Sequence, residues 1–410
     1  MKAGVIKAGL FLFSALALSN GAARAQDLRL DGMLDLRLFH PSDQRSNLDG
    51  GLGKTERGSG DRASAVGADV EALTLRGVAG ITPEFRLIGE VRSDPRQRTA
   101  LDVLDAYAVW RPVSTTRWRW SVKGGVFFAP ISLENDGIGW TSPWTLTPSA
   151  INSWVGDELR TIGTEGKLEW RGDVDQIEAT AAIYGWNQPA GAALEDRGWA
   201  FNGTPLGLLD HIRLSDVPGQ PGQPPERSYS NEFRQLDHTP GWYAALSWDR
   251  PDIGRLQLLR YDNMADPSAN DHEFGWRTRF WSLGFSTEVG ELVVLAQAMI
   301  GSTVIVPAPA FVSTTYFYAG YVLVGWERQN WRYAVRLDQF GTNEVQPGPD
   351  FGTSEHGTAV TAAITWSPAK WIRVTGEVLE VDSWRPQRLL FGKSPRARET
   401  QAQLGVRLLF

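Results

Sequence analysis

The sequence predicts an all-β protein, a transmembrane antiparallel up-and-down β-barrel of about sixteen strands. Three observations support this prediction: apolar and polar residues alternate along most of the chain, short and long connections alternate between these segments, and aromatic residues recur beside the short connections. The chain has no Cys, and 11% of its residues are aromatic, which excludes a disulfide scaffold and a disordered chain. The net charge of -6 does not indicate the basic surface that nucleic-acid binding needs. With five His and no thiol, we expect no metal site and no cofactor.

Residues 1–25 have the pattern of a secretory signal peptide. A positively charged start precedes a short apolar run (10–18), and small residues at Ala23 and Ala25 form a cleavage site. An uncleaved N-terminal anchor is the alternative, but the apolar run is too short to span a bilayer as a helix. We therefore expect the remaining chain, 26–410, to form a single transmembrane barrel.

The alternation along the mature chain has a period of two, which places apolar side chains on one face of each strand. Near its start, Leu34, Leu36 and Leu38 alternate with Asp35 and Arg37. In a membrane barrel the apolar face meets lipid, and the polar face lines a water-filled lumen. The predicted strands are residues 28–39, 67–81, 85–92, 101–111, 117–128, 159–170, 176–186, 241–249, 254–262, 275–286, 291–300, 316–327, 331–340, 357–366, 371–381 and 399–410.

The connections between these strands alternate in length, as an antiparallel meander requires. Short connections such as 82–84 and 328–330 are turn-like, and we expect them on the periplasmic side. Within one of the long connections, residues 205–214 are compatible with a short helix. The long connections, rich in Gly, Pro and charge and expected outside the cell, are 40–66, 129–158, 187–240, 341–356 and 382–398.

Aromatic residues recur at one end of successive strands, next to the short turns. Such rings are typical of a membrane–water interface, where their apolar body lies in lipid and their polar edge lies in headgroups. A soluble β-sandwich, the competing fold, would have no reason for this repetition, and an open sheet in lipid would leave backbone groups unpaired. The aromatic residues of this ring are Trp110, Trp118, Trp170, Trp248, Trp326, Trp331, Tyr333 and Trp366.

Three stretches of the sequence resemble known outer-membrane proteins. The chain ends in alternating apolar residues and a terminal Phe410, which resembles the assembly signal of bacterial β-barrels. Asp105-Ala106-Tyr107, followed by the run 122–134 (VKGGVFFAPISLE), resembles the porin O/P (phosphate-selective porin) superfamily, with its D-A-Y strand and G-x-F-x-x-P-x-(S)-L-E run. This resemblance implies a sixteen-stranded passive channel, usually a homotrimer, among the lipid and lipopolysaccharide of a Gram-negative outer membrane. The sequence lacks a dense lysine cluster on successive strands, so phosphate selectivity is not implied.

Strand parity directs many charged side chains into the predicted lumen, and basic residues outnumber acidic ones there. Because charged rings set selectivity in pores, a basic ladder would guide anions. The alternative is that these charges pair with each other and only keep the lumen wet. The predicted channel-lining residues are Arg117, Arg119, Lys123, Arg332, Arg336, Asp338, Arg373 and Glu377.

Segment 129–158 follows the fifth strand and is the predicted third external loop. We expect it to fold inward and to set acidic residues against Arg117, Arg119 and Lys123, which would create a transverse field at a constriction. An ordinary surface loop with solvated carboxylates is the alternative. The predicted constriction carboxylates are Glu134, Asp136, Asp157 and Glu158.

Together these predictions favour a water-filled diffusion channel for small hydrophilic solutes or ions, with anions preferred if the basic ladder holds. A non-conducting barrel that acts as an adhesin or a structural anchor is the alternative. An enzyme is not expected, and no catalytic residue is assigned, because no His lies beside a Ser on a strand face. Glu134 and Asp136 could form a carboxylate pair, but a pore constriction needs them equally.

Overall fold

The structure, a computed structural model, describes residues 27–60, 65–217, 228–309, 311–345 and 352–410. The predicted signal peptide, residues 1–25, lies outside the described residues. No helix in the described part of the chain is long and apolar enough to cross a membrane.

Sixteen strands of the described residues close into one antiparallel barrel, in which β18 pairs with β1. Two short strands, β8 and β9, pair with each other in the long connection between β7 and β10. Helices α1 (Ala150–Glu158) and α2 (Ala192–Arg197) lie in loops. The strands are β1 (Asp27–His40), β2 (Gly67–Gly80), β3 (Phe85–Ser93), β4 (Asp102–Trp110), β5 (Trp118–Phe127), β6 (Thr161–Arg171), β7 (Gln176–Gly185), β8 (Ile212–Arg213), β9 (Tyr229–Ser230), β10 (Gly241–Arg250), β11 (Gly254–Asp262), β12 (Arg279–Val289), β13 (Leu292–Ala308), β14 (Phe311–Arg328), β15 (Trp331–Val345), β16 (Glu355–Ala369), β17 (Ile372–Trp384) and β18 (Arg396–Leu409).

The predicted fold is confirmed: every predicted strand overlaps a strand of the barrel. The largest difference concerns β13 and β14, which continue past their predicted outer ends at residues 300 and 316. Their pairing extends through Thr303↔Thr315 and Ile305↔Ser313, so strand pairing takes up most of the connection between the two predicted strands.

The short helix predicted for residues 205–214 is wrong. Two of its backbone N–H groups bond outside the segment, with Leu206 N donating to Gly156 O at 3.1 Å and Leu208 N donating to Val103 O at 3.1 Å. Ile212 and Arg213 then form β8 instead. Partners on other elements have therefore replaced the intrahelical bonds that a helix needs.

The two faces of the barrel wall differ as the alternation predicts. On β14, Val322 and Val324 are exposed on the outside, whereas Tyr321 and Leu323 are buried inside. The predicted aromatic ring at the turn side is confirmed, with Trp331 stacked on Trp366 at 6.0 Å between ring centroids. A second group of exposed Trp residues lies at the opposite strand ends, at Trp242, Trp281 and Trp384.

The barrel closes where its first and last strands meet. Gly32 N donates to Phe410 O at 2.6 Å, and Phe410 N donates to Gly32 O at 3.0 Å. A Cβ atom at position 32 would overlap the Phe410 ring, so the glycine gives the terminal aromatic ring its place on the outer wall.

Candidate pore constriction

The third outer loop, L3 (128–160), lies inside the barrel, so the inward fold predicted for it is confirmed. It connects β5 to β6, and all nine residues of its helix α1 are buried. Trp154 of α1 packs edge-on against Phe280 and Phe317 of the wall, at 5.5 Å and 5.2 Å between ring centroids. Aromatic packing therefore fixes the loop in the lumen.

L3 crosses the lumen from wall to wall. Its Ile131 O accepts a hydrogen bond from Gln297 Nε2 of β13 at 2.8 Å, and its Gly139 N donates to Glu90 Oε1 of β3 at 2.7 Å. Strands β3 and β13 lie half-way round the ring from each other. The loop therefore spans the full width of the barrel.

A buried arginine of the wall connects two parts of L3. The Arg336 guanidinium of β15 lies 2.5 Å from Glu134 Oε1 and donates to Asp338 Oδ2 at 2.8 Å. It also donates to the carbonyl oxygens of Thr147 at 2.8 Å and Pro148 at 3.0 Å. One cation thus compensates two buried carboxylates and satisfies two backbone acceptors, as a buried ion pair requires.

Two acidic wall residues predicted to line the channel instead receive the backbone of L3. Glu377 of β17 accepts from Leu146 N at 2.6 Å and from Thr147 N at 3.1 Å, and Asp338 accepts from Ala150 N at 3.3 Å. Strand parity assigns both carboxylates to the lumen face. It carries no information about a loop that fills the lumen and covers them.

Glycines on the inner wall make room for large side chains of L3. A Cβ atom at Gly284 would lie 2.6 Å from Leu133 Cδ1, and one at Gly405 would lie 2.8 Å from Leu146 Cδ2. At Gly325 it would overlap the Trp144 ring. A glycine at an inward strand position is the sequence signal that could have located these contacts.

The L3 carboxylates do not face the basic residues that the sequence analysis paired with them. Glu134 contacts Arg336, Asp157 lies 2.6 Å from Arg197 Nη2 in the fourth loop, and Asp136 is exposed. The loop crosses toward β13 and β15, where Glu134 meets Arg336 of β15.

Glu158, the fourth predicted constriction carboxylate, joins L3 to the fourth loop. It accepts from Leu194 N of α2 at 2.7 Å and from Gly191 N. Burial raises the pKa of Glu158 to about 7, which its backbone hydrogen bonds only partly oppose.

The basic residues predicted on and before β5 have partners on neighbouring segments. Lys123 Nζ lies 3.0 Å from Glu165 Oε1, Arg117 pairs with Asp173 at 2.7 Å, and Arg119 lies across from Glu169 in the strand register. The remaining two predicted residues lie near the periplasmic ends of their strands. Arg332 pairs with Glu327 at 2.8 Å, and Arg373 lies opposite Arg407.

The periplasmic half of the inner wall presents cations to water. The side chain of Lys167 is 37% exposed while its partner Glu178 is 13% exposed, and Arg76 is 34% exposed while Glu90 is 6% exposed. The pairs formed by Lys123 with Glu165, Arg111 with Glu169 and Arg255 with Glu178 show the same difference. At these five pairs a solute therefore meets ammonium and guanidinium groups before carboxylates, whereas beside the turn Glu327 is more exposed than Arg332, at 46% against 26%.

The outer half of the lumen is filled by two further loops that the sequence analysis did not place inside. Lys54 of the first loop is fully buried, with its Nζ 2.5 Å from Glu355 Oε2. Burial lowers the pKa of Lys54 to about 8, although Glu355 opposes this shift. Arg385 also reaches Glu355 at 3.2 Å and donates to the Asp196 carbonyl oxygen of the fourth loop at 2.5 Å.

Two cavities remain along the wall formed by the first strands. The outer cavity has a volume of about 550 Å³, and the periplasmic cavity, next to Ile138 of L3, has a volume of about 480 Å³. A cluster of charges lies beside the outer cavity, which Arg96 and Glu56 line. In it, Arg96 contacts Glu56, Glu71 and Asp94.

Comparison with family models and with curated proteins finds no match for this sequence. Solved structures match its fold. The outer membrane channel DcaP of Acinetobacter baumannii is 11% identical over 94% of this chain and 97% of its own, with a TM-score of 0.56. OmpF of Salmonella typhi in complex with daunomycin is 11% identical over 94% and 98%, with a TM-score of 0.54. OmpT, an outer membrane protein of Vibrio cholerae in a trimer form, is 10% identical over 94% and 99%, with a TM-score of 0.50.

These matches show a similarity of fold. Together with the closed ring of strands, the apolar exterior and the aromatic girdles, they make this chain a porin-like β-barrel of the Gram-negative outer membrane.

Proposed function

We propose that the protein is a passive diffusion channel for small hydrophilic solutes and that its lumen prefers anions. The observation that carries the preference is the exposure of five ion pairs in the periplasmic half, in each of which the cation is more exposed than its carboxylate. Lumen charges set the selectivity of a pore through the potential they impose on passing ions.

The position of L3 supports a restriction to small solutes. The loop crosses between β3 and β13, so a solute that passes from one cavity to the other along the first strands has less width than the barrel itself provides. Arg76 and Arg86 line the periplasmic end of this route.

Reversal potentials across a planar bilayer with a KCl gradient test the preference. We expect chloride to be favoured in the wild-type protein. The double variant Lys167→Gln/Arg255→Gln removes both cations that face Glu178, so its reversal potential should shift towards cations. Arg398→Gln changes the charge on the outside of the barrel, where Arg398 pairs with Glu380, and should leave the potential unchanged.

A wild-type protein that favours potassium, or a double variant identical to Arg398→Gln, would contradict the anion preference. A non-conducting anchor is the second candidate, favoured by the burial of L3 and of Lys54 inside the barrel. Stepwise single-channel openings support the channel, whereas silence at high protein concentration supports the anchor.

We also propose that three copies associate, because OmpT of Vibrio cholerae, which shares this fold, has been solved in a trimer form. Light scattering of the detergent-solubilised protein tests this assignment. A mass equal to one chain would contradict it.

A further inference from the structure

The outer cavity is formed by segments that are far apart in the sequence. The first loop contributes Arg57, the connection after β3 contributes Arg96 and Arg98, and the fourth loop contributes Arg213 and Tyr229. Its volume of about 550 Å³ lies in the range of pockets that bind small organic molecules.

Four carboxylates line this cavity: Asp49 is exposed, and the other three are buried and already have partners. Glu56 accepts from Gly203 N at 2.9 Å and from Arg96, and Asp157 pairs with Arg197 at 2.6 Å. Asp210, 2% exposed as a side chain, accepts from His211 N at 2.9 Å. The three buried groups therefore offer a solute little negative charge.

The arginines around the cavity keep unused donors. Arg98 is exposed, and the Arg213 side chain, whose Nη2 pairs with Asp216 at 3.0 Å, is 38% exposed. The Nε atoms of Arg57 and Arg213 are buried without a hydrogen-bond acceptor among the described residues. Because a buried donor without a partner is costly, these atoms indicate a place for an acceptor that the chain itself does not supply.

Aromatic surface lies beside these donors. The Arg57 guanidinium lies 4.5 Å from the centroid of the Phe39 ring, and both residues line the cavity. Tyr229 lines it as well and is 45% exposed. The cavity therefore combines guanidinium donors with an apolar wall that could cover the body of an organic solute.

We propose that the outer cavity is a capture site for small organic carboxylates, with the carboxylate held by Arg98 and Arg213 and the apolar body placed against Phe39 and Tyr229. This assignment rests on the proposed anion-preferring channel and names the class of anion that it takes. Capture at the outer mouth would raise the local concentration of the solute at the entrance to the basic lumen.

Titration calorimetry on the full chain in detergent tests the site, with benzoate as the probe and acetate and benzylamine as comparisons. Benzoate should bind more tightly than acetate, and benzylamine should not bind. The double variant Arg98→Gln/Arg213→Gln should weaken benzoate binding by about tenfold or more, since it removes two charge-assisted donors. Arg98→Gln alone, at an exposed position, should weaken it by a smaller factor without affecting folding.

Arg86→Gln in the periplasmic cavity is the matched control, and it should bind benzoate as the wild type does. Failure of the wild type to bind benzoate, equal binding of acetate and benzoate, or unchanged binding in the double variant would overturn the assignment. Calorimetry does not require conduction, so it tests the site independently of the channel. If the protein binds benzoate but its channel favours potassium, the anion preference is contradicted and the capture site is supported.

Discussion

At the scale of single residues, strand parity assigns a side chain to the lumen but does not define its role there. Arg332 and Arg336 lie on the same face of β15. Arg336 is fully buried under L3, where it compensates Glu134 and Asp338. Arg332 lies four residues nearer the periplasmic turn and remains partly exposed. The difference comes from the depth of L3 in the barrel and not from the local sequence.

Gly325→Val should displace L3 from the wall. The new side chain would overlap the Trp144 ring, and such overpacking costs about 1–3 kcal/mol. We expect the single-channel conductance to rise because the loop obstructs less of the lumen. Gly376→Val is the matched control, since a Cβ atom there meets no atom within 4 Å. Equal conductance in both variants would contradict the packing of Trp144 against Gly325.

Arg336→Met should release L3 more completely. The change leaves Glu134 and Asp338 buried without their cation, and breaking a buried pair in this way costs about 3–5 kcal/mol. Hydrogen exchange of the L3 amides should therefore increase while the barrel strands stay protected. The triple variant with Glu134→Gln and Asp338→Asn should restore part of the protection, and failure to do so would argue against charge as the cause.

At the scale of elements, the loops are joined to one another as well as to the wall. Glu158 at the end of α1 accepts two backbone N–H groups at the start of α2, where four N–H groups of any helix lack intrahelical partners. Asp157 next to it pairs with Arg197 at the other end of α2. The third and fourth loops should therefore open together.

The contact between these loops should weaken as the pH rises. Because burial raises the pKa of Glu158 to about 7, the docked state binds a proton that the undocked state, with a carboxyl pKa near its ordinary value, has lost. The docked state is then most stable below about pH 4.5, loses stability between pH 4.5 and 7, and changes no further above that range. In single-channel records, dwells in the docked, low-conductance state should therefore be shorter at pH 8 than at pH 5.

Glu158→Gln should flatten this pH dependence, because the amide keeps the size and an acceptor oxygen of the side chain but does not titrate. Burial also raises the pKa of the neighbouring Glu232, so Glu158→Gln/Glu232→Gln should flatten it further. A pH profile in the double variant that matches the wild type would refute the assignment to these carboxylates.

At the scale of the whole molecule, the barrel could be predicted from the sequence because its signals are local. A period of two, a short turn and an aromatic residue at a strand end each occupy about ten residues or fewer. The interior could not be predicted, because its contacts join residues far apart in the chain. Glu134 and Arg336 are separated by 202 positions, and Lys54 and Glu355 are separated by 301.

The difference between local and long-range signals also explains where the predicted and observed elements disagree. Residues 205–214 have a composition compatible with a helix, but their backbone partners lie on α1 and β4, which no local pattern reveals. The predicted outer ends of β13 and β14 are too short because residues 301–315, which contain the apolar run 304–306 and two prolines, do not alternate between apolar and polar residues.

The arrangement of tryptophans tests the closed barrel as a whole. Trp331 and Trp366 are exposed on the outer wall, whereas Trp154 and Trp199 are buried in the lumen. In bilayers of brominated phospholipids, the emission of the outer group should be quenched, because bromine in the acyl chains can approach only the lipid-facing wall. Trp331→Phe/Trp366→Phe should therefore reduce the quenchable fraction, and Trp154→Phe should reduce only the fraction that lipid leaves unquenched. Equal quenching of both groups would mean that lipid reaches the interior, which a closed ring of sixteen paired strands does not allow.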